Sequence, residues 1–385
     1  MLPNSTQKLS IWLTAPVSAA PLALFRVLFG GLMLAATLRF MLKGWVYELY
    51  IQPKFFFSYY GFEWVKPLEG NAMYGVFAVL ALSAFMVMIG SFYRLSATVF
   101  FLTFTYVELL DKSNYLNHYY FVSIVSLLLI LVPAHRYFSV DVWRKPELKC
   151  THVPRWTILI FQLQLGLVYF YAGLAKLNYD WLFRAQPLRI WLPAHADFPV
   201  IGFLFDYLWV AYFFCWFGAL YDLSIPFLLA NKTTRGVAYF LVVAFHVMTA
   251  LLFPIGMFPY VMMLATLIFF PAVFHLKIIA FLQRIFTAVF GRKSVAFSTE
   301  KTLAFSTEKV KIFSLKPALN LTLATLLVAH FLFQLVFPFR FGLYPGSLFW
   351  TEQGYRFSWR VMLMEKAGTV FFTVRDAKTG LQEDV

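Results

Sequence analysis

Apolar runs of membrane-crossing length recur through the first 340 of the 385 residues, and no other feature limits the fold so strongly. Each is roughly 17–25 residues long, enough for a helix to cross a hydrocarbon layer about 30 Å thick. Inside that layer every backbone N–H and C=O must find its partner within the chain, so the runs must be helical. Their spacing predicts nine spans, near 18–42, 72–91, 95–110, 117–133, 156–176, 207–230, 236–253, 257–275 and 317–338. Only 13% of residues are charged, against about 25% in a soluble domain. The expected class is an all-α polytopic membrane protein, a bundle of about nine transmembrane helices formed by residues 1–340 with the lipid bilayer around it.

The first apolar segment lacks a small-residue cleavage site and is expected to be retained as a helix. Between the first two runs, the stretch from Trp45 to Trp64 is too interrupted to span and is expected to lie at the interface. Residues 341–385 change character: Tyr344-Pro345-Gly346 marks a turn, Thr369 to Val374 is β-branched and aromatic, and Asp376 to Gly380 suits a hairpin. A short β-rich extracytoplasmic tail is predicted there. The duplicated hexapeptide Ala296–Lys301 and Ala304–Lys309 reads as a solvated linker.

The net charge is +14, carried by connecting loops. Arg136, Arg144, Lys145, Lys149 and Arg155 fall in one loop, Lys232 and Arg235 in another, and eight basic residues against two acidic ones in 276–316. With nine spans these loops share a face, which the positive-inside pattern makes cytoplasmic. The N-terminus is then cytoplasmic and the C-terminus outside. Charge spread over loops forms no stripe for nucleic acid. Cys150 and Cys215 imply no disulfide framework.

Ionisable groups inside spans are costly, so each is a candidate site. Lys176 closes the apolar run Tyr169-Phe170-Tyr171-Ala172-Gly173-Leu174-Ala175. Burial there would favour its neutral amine, the form that acts as a base, whereas a lysine at a helix end can also snorkel to the headgroups. Arg26 and Asp222 lie about two turns in from the same face and are expected to form a structural ion pair. His118, His246 and His330 fall at the level of Lys176, suggesting one cavity that opens to the outer face. None of the seven histidines is three or four residues from another, and no His-Glu-x-x-His occurs, so no metal is expected.

Several blocks resemble the vitamin K-dependent γ-carboxylase family, including bacterial relatives that share its horizontally transferred transmembrane (HTTM) domain. They are Leu110-Asp111-Lys112-Ser113 with Asn117-His118-Tyr119-Tyr120, then Ala134 to Asp141 and the Tyr-Ala-Gly-Leu-Ala-Lys-Leu segment. Phe245-His246-Val247-Met248, Phe253 to Phe258, and Tyr344-Pro345-Gly346 with Gly354 to Trp359 follow in family order. The resemblance implies a carboxylase of the lyase class in a cell membrane, the inner membrane for a bacterial chain, with its site facing outward. It implies reduced vitamin K (phylloquinol or menaquinol) as cofactor, and CO2 and O2 as co-substrates. A lysine deprotonates the quinol, which reacts with O2 toward the epoxide, and the base so generated removes a γ-proton from peptidyl glutamate before CO2 is captured. Lys176 matches the family's base and His118 an assisting histidine.

The partner is then a glutamate-containing protein or peptide. His246, His330, Asn117 and Trp181 are candidates for the cavity, with Trp181 either holding the quinone ring or serving in an interfacial belt. Arg184 and Arg189 are candidates for contact with a substrate carboxylate, or ordinary interfacial charge. Animal members continue into a large lumenal domain that takes part in propeptide recognition, and recognition of that type is not expected from residues 341–385. Two rival readings are a transporter or channel with a polar cavity, which would show repeats and broken helices, and a catalytically silent scaffold.

Overall fold

The computed structural model describes residues 5–290, 313, 317–364, 366 and 370–384. The duplicated hexapeptide lies outside them. After α1 (Ser5–Thr14), the bundle is built from α2 (Ala20–Leu42), α3 (Ala72–Ile89), α4 (Tyr93–Leu109), α5 (Asn117–Leu131) and, beyond the short α6 (Val140–Arg144), α7 (Trp156–Lys176). The chain then makes two short helices, α8 (Tyr179–Arg184) and α9 (Leu188–Trp191), before α10 (Leu208–Ala230), α11 (Arg235–Leu252), α12 (Phe258–Ala265), α13 (Ala272–Phe290) and α14 (Pro317–Val336). A last short helix, α15, covers Leu348–Thr351.

Six helices among the described residues are long and apolar enough to cross a membrane, up to seven if a bent pair counts as one span. The expected nine therefore need correcting. The runs at 95–110 and 117–133 fold as α4 and α5, which are 17 and 15 residues long and fall short by length or hydropathy. The run at 257–275 is broken: Phe258–Phe269 and Ala272–Ile285 meet at 118°. Pro271 explains the break, since the residue before a proline is driven out of helical conformation, and Phe270 is extended with ψ 156.

Two small antiparallel pairings complete the fold. β1 (Pro16–Ser18) pairs with β2 (His152–Pro154) at the end of the bundle where α7 begins. In the tail, β3 (Thr373–Arg375) pairs with β4 (Gln382–Asp384) around the expected Asp376–Gly380 turn. Each of these tail strands has only three residues, all exposed.

Arg26 and Asp222 are not partners. Arg26 is fully buried and donates to the carbonyls of Val87 (2.8 Å), Met88 (2.5 Å) and Ala134 (3.2 Å), and also to that of Phe138. The first two lie in the last turn of α3, where the helix dipole favours a cation, and that of Val87 also accepts the Gly90 N–H at 3.1 Å. Gly90 completes this cap with φ +67; a Cβ there would come within 2.7 Å of the Arg26 guanidinium.

The expectation failed because depth was counted from each helix's own end. Between Lys176 and α10, the chain folds into α8 and α9, and α10 runs on past the end of α7 to pack against them. A second apolar cluster, including Ala175, Trp181, Leu188, Leu192 and Cys215, seals this extension. Asp222 therefore lies opposite Lys176, not Arg26.

Candidate functional site

Lys176 owes its position to the way α7 stops. Leu177 leaves helical conformation (ψ 62), and Asn178 caps the next helix, its side chain accepting from the Trp181 N–H at 3.0 Å. The Asn178 amide donates back to the Ala175 carbonyl at 2.9 Å. This double use of one side chain folds α8 across the end of α7. Trp181 then lies over the lysine, with Nζ 5.4 Å from its ring centroid. Its indole N–H donates to the Cys215 carbonyl at 2.7 Å, and it is 4% exposed. It is thus a wall of the site, not a residue of an interfacial belt.

Lys176 Nζ stands 2.6 Å from Asp222 Oδ2, and both side chains are 7% exposed. Nζ also donates to the Ala172 carbonyl at 3.3 Å. Close packing of α7 on α10 makes this pair possible. A Cβ on Gly173 would come within 2.8 Å of the Leu223 backbone nitrogen, so only glycine permits that approach. Four residues after Asp222, Pro226 has no N–H to offer the Asp222 carbonyl.

The pair borders a cavity of about 250 Å³ between α7, α10, α11 and α12. Its walls are almost wholly hydrocarbon and aromatic, including Phe213, Phe217, Phe245, Phe253 and Phe258. The polar groups along them are Lys176, Asp222, Tyr169, His246 and Thr249. The Tyr169 hydroxyl is buried beside that of Tyr221. His246 is 1% exposed, with Nδ1 2.8 Å from the Val242 carbonyl. A carbonyl can only accept, so Nδ1 carries the proton and Nε2 is left as an acceptor.

Trp181, Leu188 and Leu192 close one side of the cavity, and Val361 with Met362 another. The latter two are placed by contacts between distant sequence blocks. Phe357 donates its N–H to the Tyr115 hydroxyl at 2.8 Å, and the Asn117 amide donates to the Arg360 carbonyl at 2.7 Å. Trp359 stacks on Tyr120 at 4.8 Å. Phe357, Trp359 and Met362 all have left-handed backbone conformation (φ 57, 59 and 53), a strain of about 1–3 kcal/mol each. The Asn117–Tyr120 block thus docks the Phe357–Met362 segment on the site.

The structure brings Lys176, His246 and Trp181 together at the cavity and leaves the other candidates outside its lining. His118 is buried behind Phe258, their ring centroids 6.0 Å apart. His330 Nε2 lies 3.0 Å from Gln164 Oε1 on another face of α7. Asn117 holds the tail segment. Arg184 pairs with Asp180 at 3.4 Å on the surface, and Arg189 is exposed. Sequence reasoning missed Asp222 as the partner of Lys176, and also Tyr169, Phe258 and Met362. Tyr169 had a signal, lying seven residues before Lys176 on the same helical face; Phe258 and Met362 had none.

The HTTM domain model matches residues 14–273. The model of the vitamin K-dependent gamma-carboxylase lumenal domain matches residues 319–385. No solved structure matches the chain. The first match covers helices α2 to α12 with the lysine cavity, and the second covers the segment that closes it, so the chain belongs to the vitamin K-dependent γ-carboxylase family of HTTM-domain membrane proteins.

Proposed function

We propose that this protein couples oxidation of reduced vitamin K to the epoxide with carboxylation of a peptidyl glutamate by CO2, a lyase-class reaction. The observation that carries this reading is the buried amine of Lys176 at the edge of an apolar cavity. A flat aromatic quinol with a hydrocarbon tail fits walls of Phe and Leu side chains, and its hydroxyl requires a polar group such as Nζ. When bound, the quinol supplies through its reaction with O2 a base strong enough to deprotonate a glutamyl γ-carbon.

The chain's own residues then have distinct tasks. Lys176 Nζ takes the proton of a quinol hydroxyl, and the Trp181 ring faces the ammonium. His246 Nε2 offers an acceptor, and the Tyr169 hydroxyl a donor. Trp181, Leu188, Val361 and Met362 keep water from a carbanion that a proton would quench. The loop-charge pattern supports a reading in which this end of α7 faces outward and the N-terminus the cytoplasm, with a glutamyl peptide approaching from outside. His118 assists when Phe258, which stands between it and the cavity, turns aside.

The test is direct. Purified protein in detergent is given reduced vitamin K, O2, labelled bicarbonate and a short glutamyl peptide. Label fixed in the peptide, and lost in Lys176→Ala, is the expected result. A protein that fixes no label and forms no epoxide would be a silent scaffold.

A further inference from the structure

A lysine carrying its full set of protons cannot act as a base, and the nearest group able to take one from Lys176 is the Asp222 carboxylate, whose Oδ2 stands 2.6 Å from Nζ. Both partners are buried, so solvent cannot readily carry a proton away. We propose that Asp222 is the terminal proton acceptor of this site and that Lys176 relays protons to it. As Nζ takes the proton of the substrate hydroxyl, another of its protons passes to Asp222 Oδ2. One O–H bond breaks as one N–H forms; one N–H breaks as one O–H forms. Lys176 ends as it began, an ammonium, now beside the new substrate oxyanion. The cavity gains no net charge, which matters where an uncompensated ion costs several kcal/mol (roughly).

Asp222 touches no substrate in this scheme and acts through Lys176. The titratable groups facing the pair are Tyr169 on α7, Cys215 and Tyr221 on α10, and His246 on α11. Tyrosine and cysteine ordinarily carry their protons and are poor acceptors. His246 lines the cavity without a hydrogen bond to Nζ. The other elements around the pair supply hydrocarbon and the Trp181 ring. Among the described residues Asp222 is therefore the one carboxylate lining this cavity, and it is already in hydrogen-bonding contact with the amine.

The inference rests on the carboxylase reading, so its test needs a readout that does not. The full chain in detergent is treated with N-hydroxysuccinimidyl acetate over a range of pH, and acetylation at Lys176 is followed by mass spectrometry. Only the neutral amine reacts. In the parent protein Lys176 should react only at high pH. Asp222→Asn should move the midpoint down by at least one pH unit, about tenfold in neutral amine (one pKa unit being tenfold). Asp222→Glu should leave it high, and Asp222→Ser replaces Asn should the amide not be accommodated.

With reduced vitamin K, Asp222→Asn should lower kcat for epoxide formation about 100-fold while KM for the quinol stays within about threefold. A purely structural pair would also move the midpoint, so it is the loss of kcat at a steady KM that separates a relay from a structural contact. An unmoved midpoint, or full turnover in Asp222→Asn, overturns the relay. A shifted midpoint in a protein that makes neither epoxide nor carboxylated peptide would sink the carboxylase reading, and with it the relay to a quinol.

Discussion

His118 packs against Phe258 with ring centroids 6.0 Å apart, and of the two only Phe258 lines the cavity. The same phenyl ring is 5.9 Å from His246, which lines the cavity too. A histidine expected beside the reacting lysine is thus one aromatic ring removed from the cavity.

If His118 takes part in turnover, it does so when Phe258 turns aside. His118→Ala should then lower kcat about 100-fold, and Phe258→Trp, which cannot turn in the same space, should cost a similar factor. The double variant should be no worse than the more impaired single one, because both remove the same step. Steady-state kinetics of epoxide formation read this out; losses that multiply would show that the two residues act separately.

Trp181 separates the lysine from the outer layer of the protein. Trp181→Phe deletes its bond to the Cys215 carbonyl and should cost about 1 kcal/mol of stability. Trp181→Ala should open the wall to water. The expected result is a higher ratio of epoxide to carboxylated peptide, since quenched carbanions consume quinol without fixing CO2. Counting both products in one reaction decides it, and an unchanged ratio would remove Trp181 from the barrier.

Arg26 holds four backbone carbonyls at one end of the bundle. Arg26→Ala removes their charged donor and should destabilise the protein by about 3 kcal/mol. Arg26→Lys should recover little, because a single ammonium cannot reproduce the planar fork of donors. Introducing Arg at position 222 into an Arg26→Asp variant should not rescue folding. Thermal unfolding in detergent checks all three, and rescue by the swapped pair would contradict the geometry.

His135 lies in the turn between α5 and α6, its ring stacked on Tyr93 at 5.1 Å. Burial, with Arg94 and Arg136 nearby, pushes its pKa down from 6.5 to about 4. The unfolded chain therefore binds this proton more readily than the folded one. The stability that depends on neutral His135 is complete above about pH 6.5 and is lost progressively as the pH falls toward 4. His135→Phe keeps the stacking and removes the titration. Melting temperatures at pH 7.5 and 5 should fall further in the parent protein than in the variant; equal falls would assign the acid sensitivity elsewhere.

Much of this protein is written locally. An apolar run in lipid has one means of satisfying its backbone, so α2, α3, α7, α10, α11 and α14 follow from composition and length. Pro271, Asn178 and the Asp376–Gly380 turn act over a few residues, and Lys176 at the end of its run was recognisable as a costly group needing a partner. Choosing that partner was beyond a one-dimensional reading. Counting inward from helix ends paired Asp222 with Arg26, because the extra length of α10 against α8 and α9 exists only once the chain folds back on itself. Phe258 and Met362, from segments about a hundred residues apart in sequence, share one cavity for the same reason. Helix formation is decided by neighbours along the chain, whereas the pairing of buried charges depends on contacts between distant segments, and these only the tertiary structure decides.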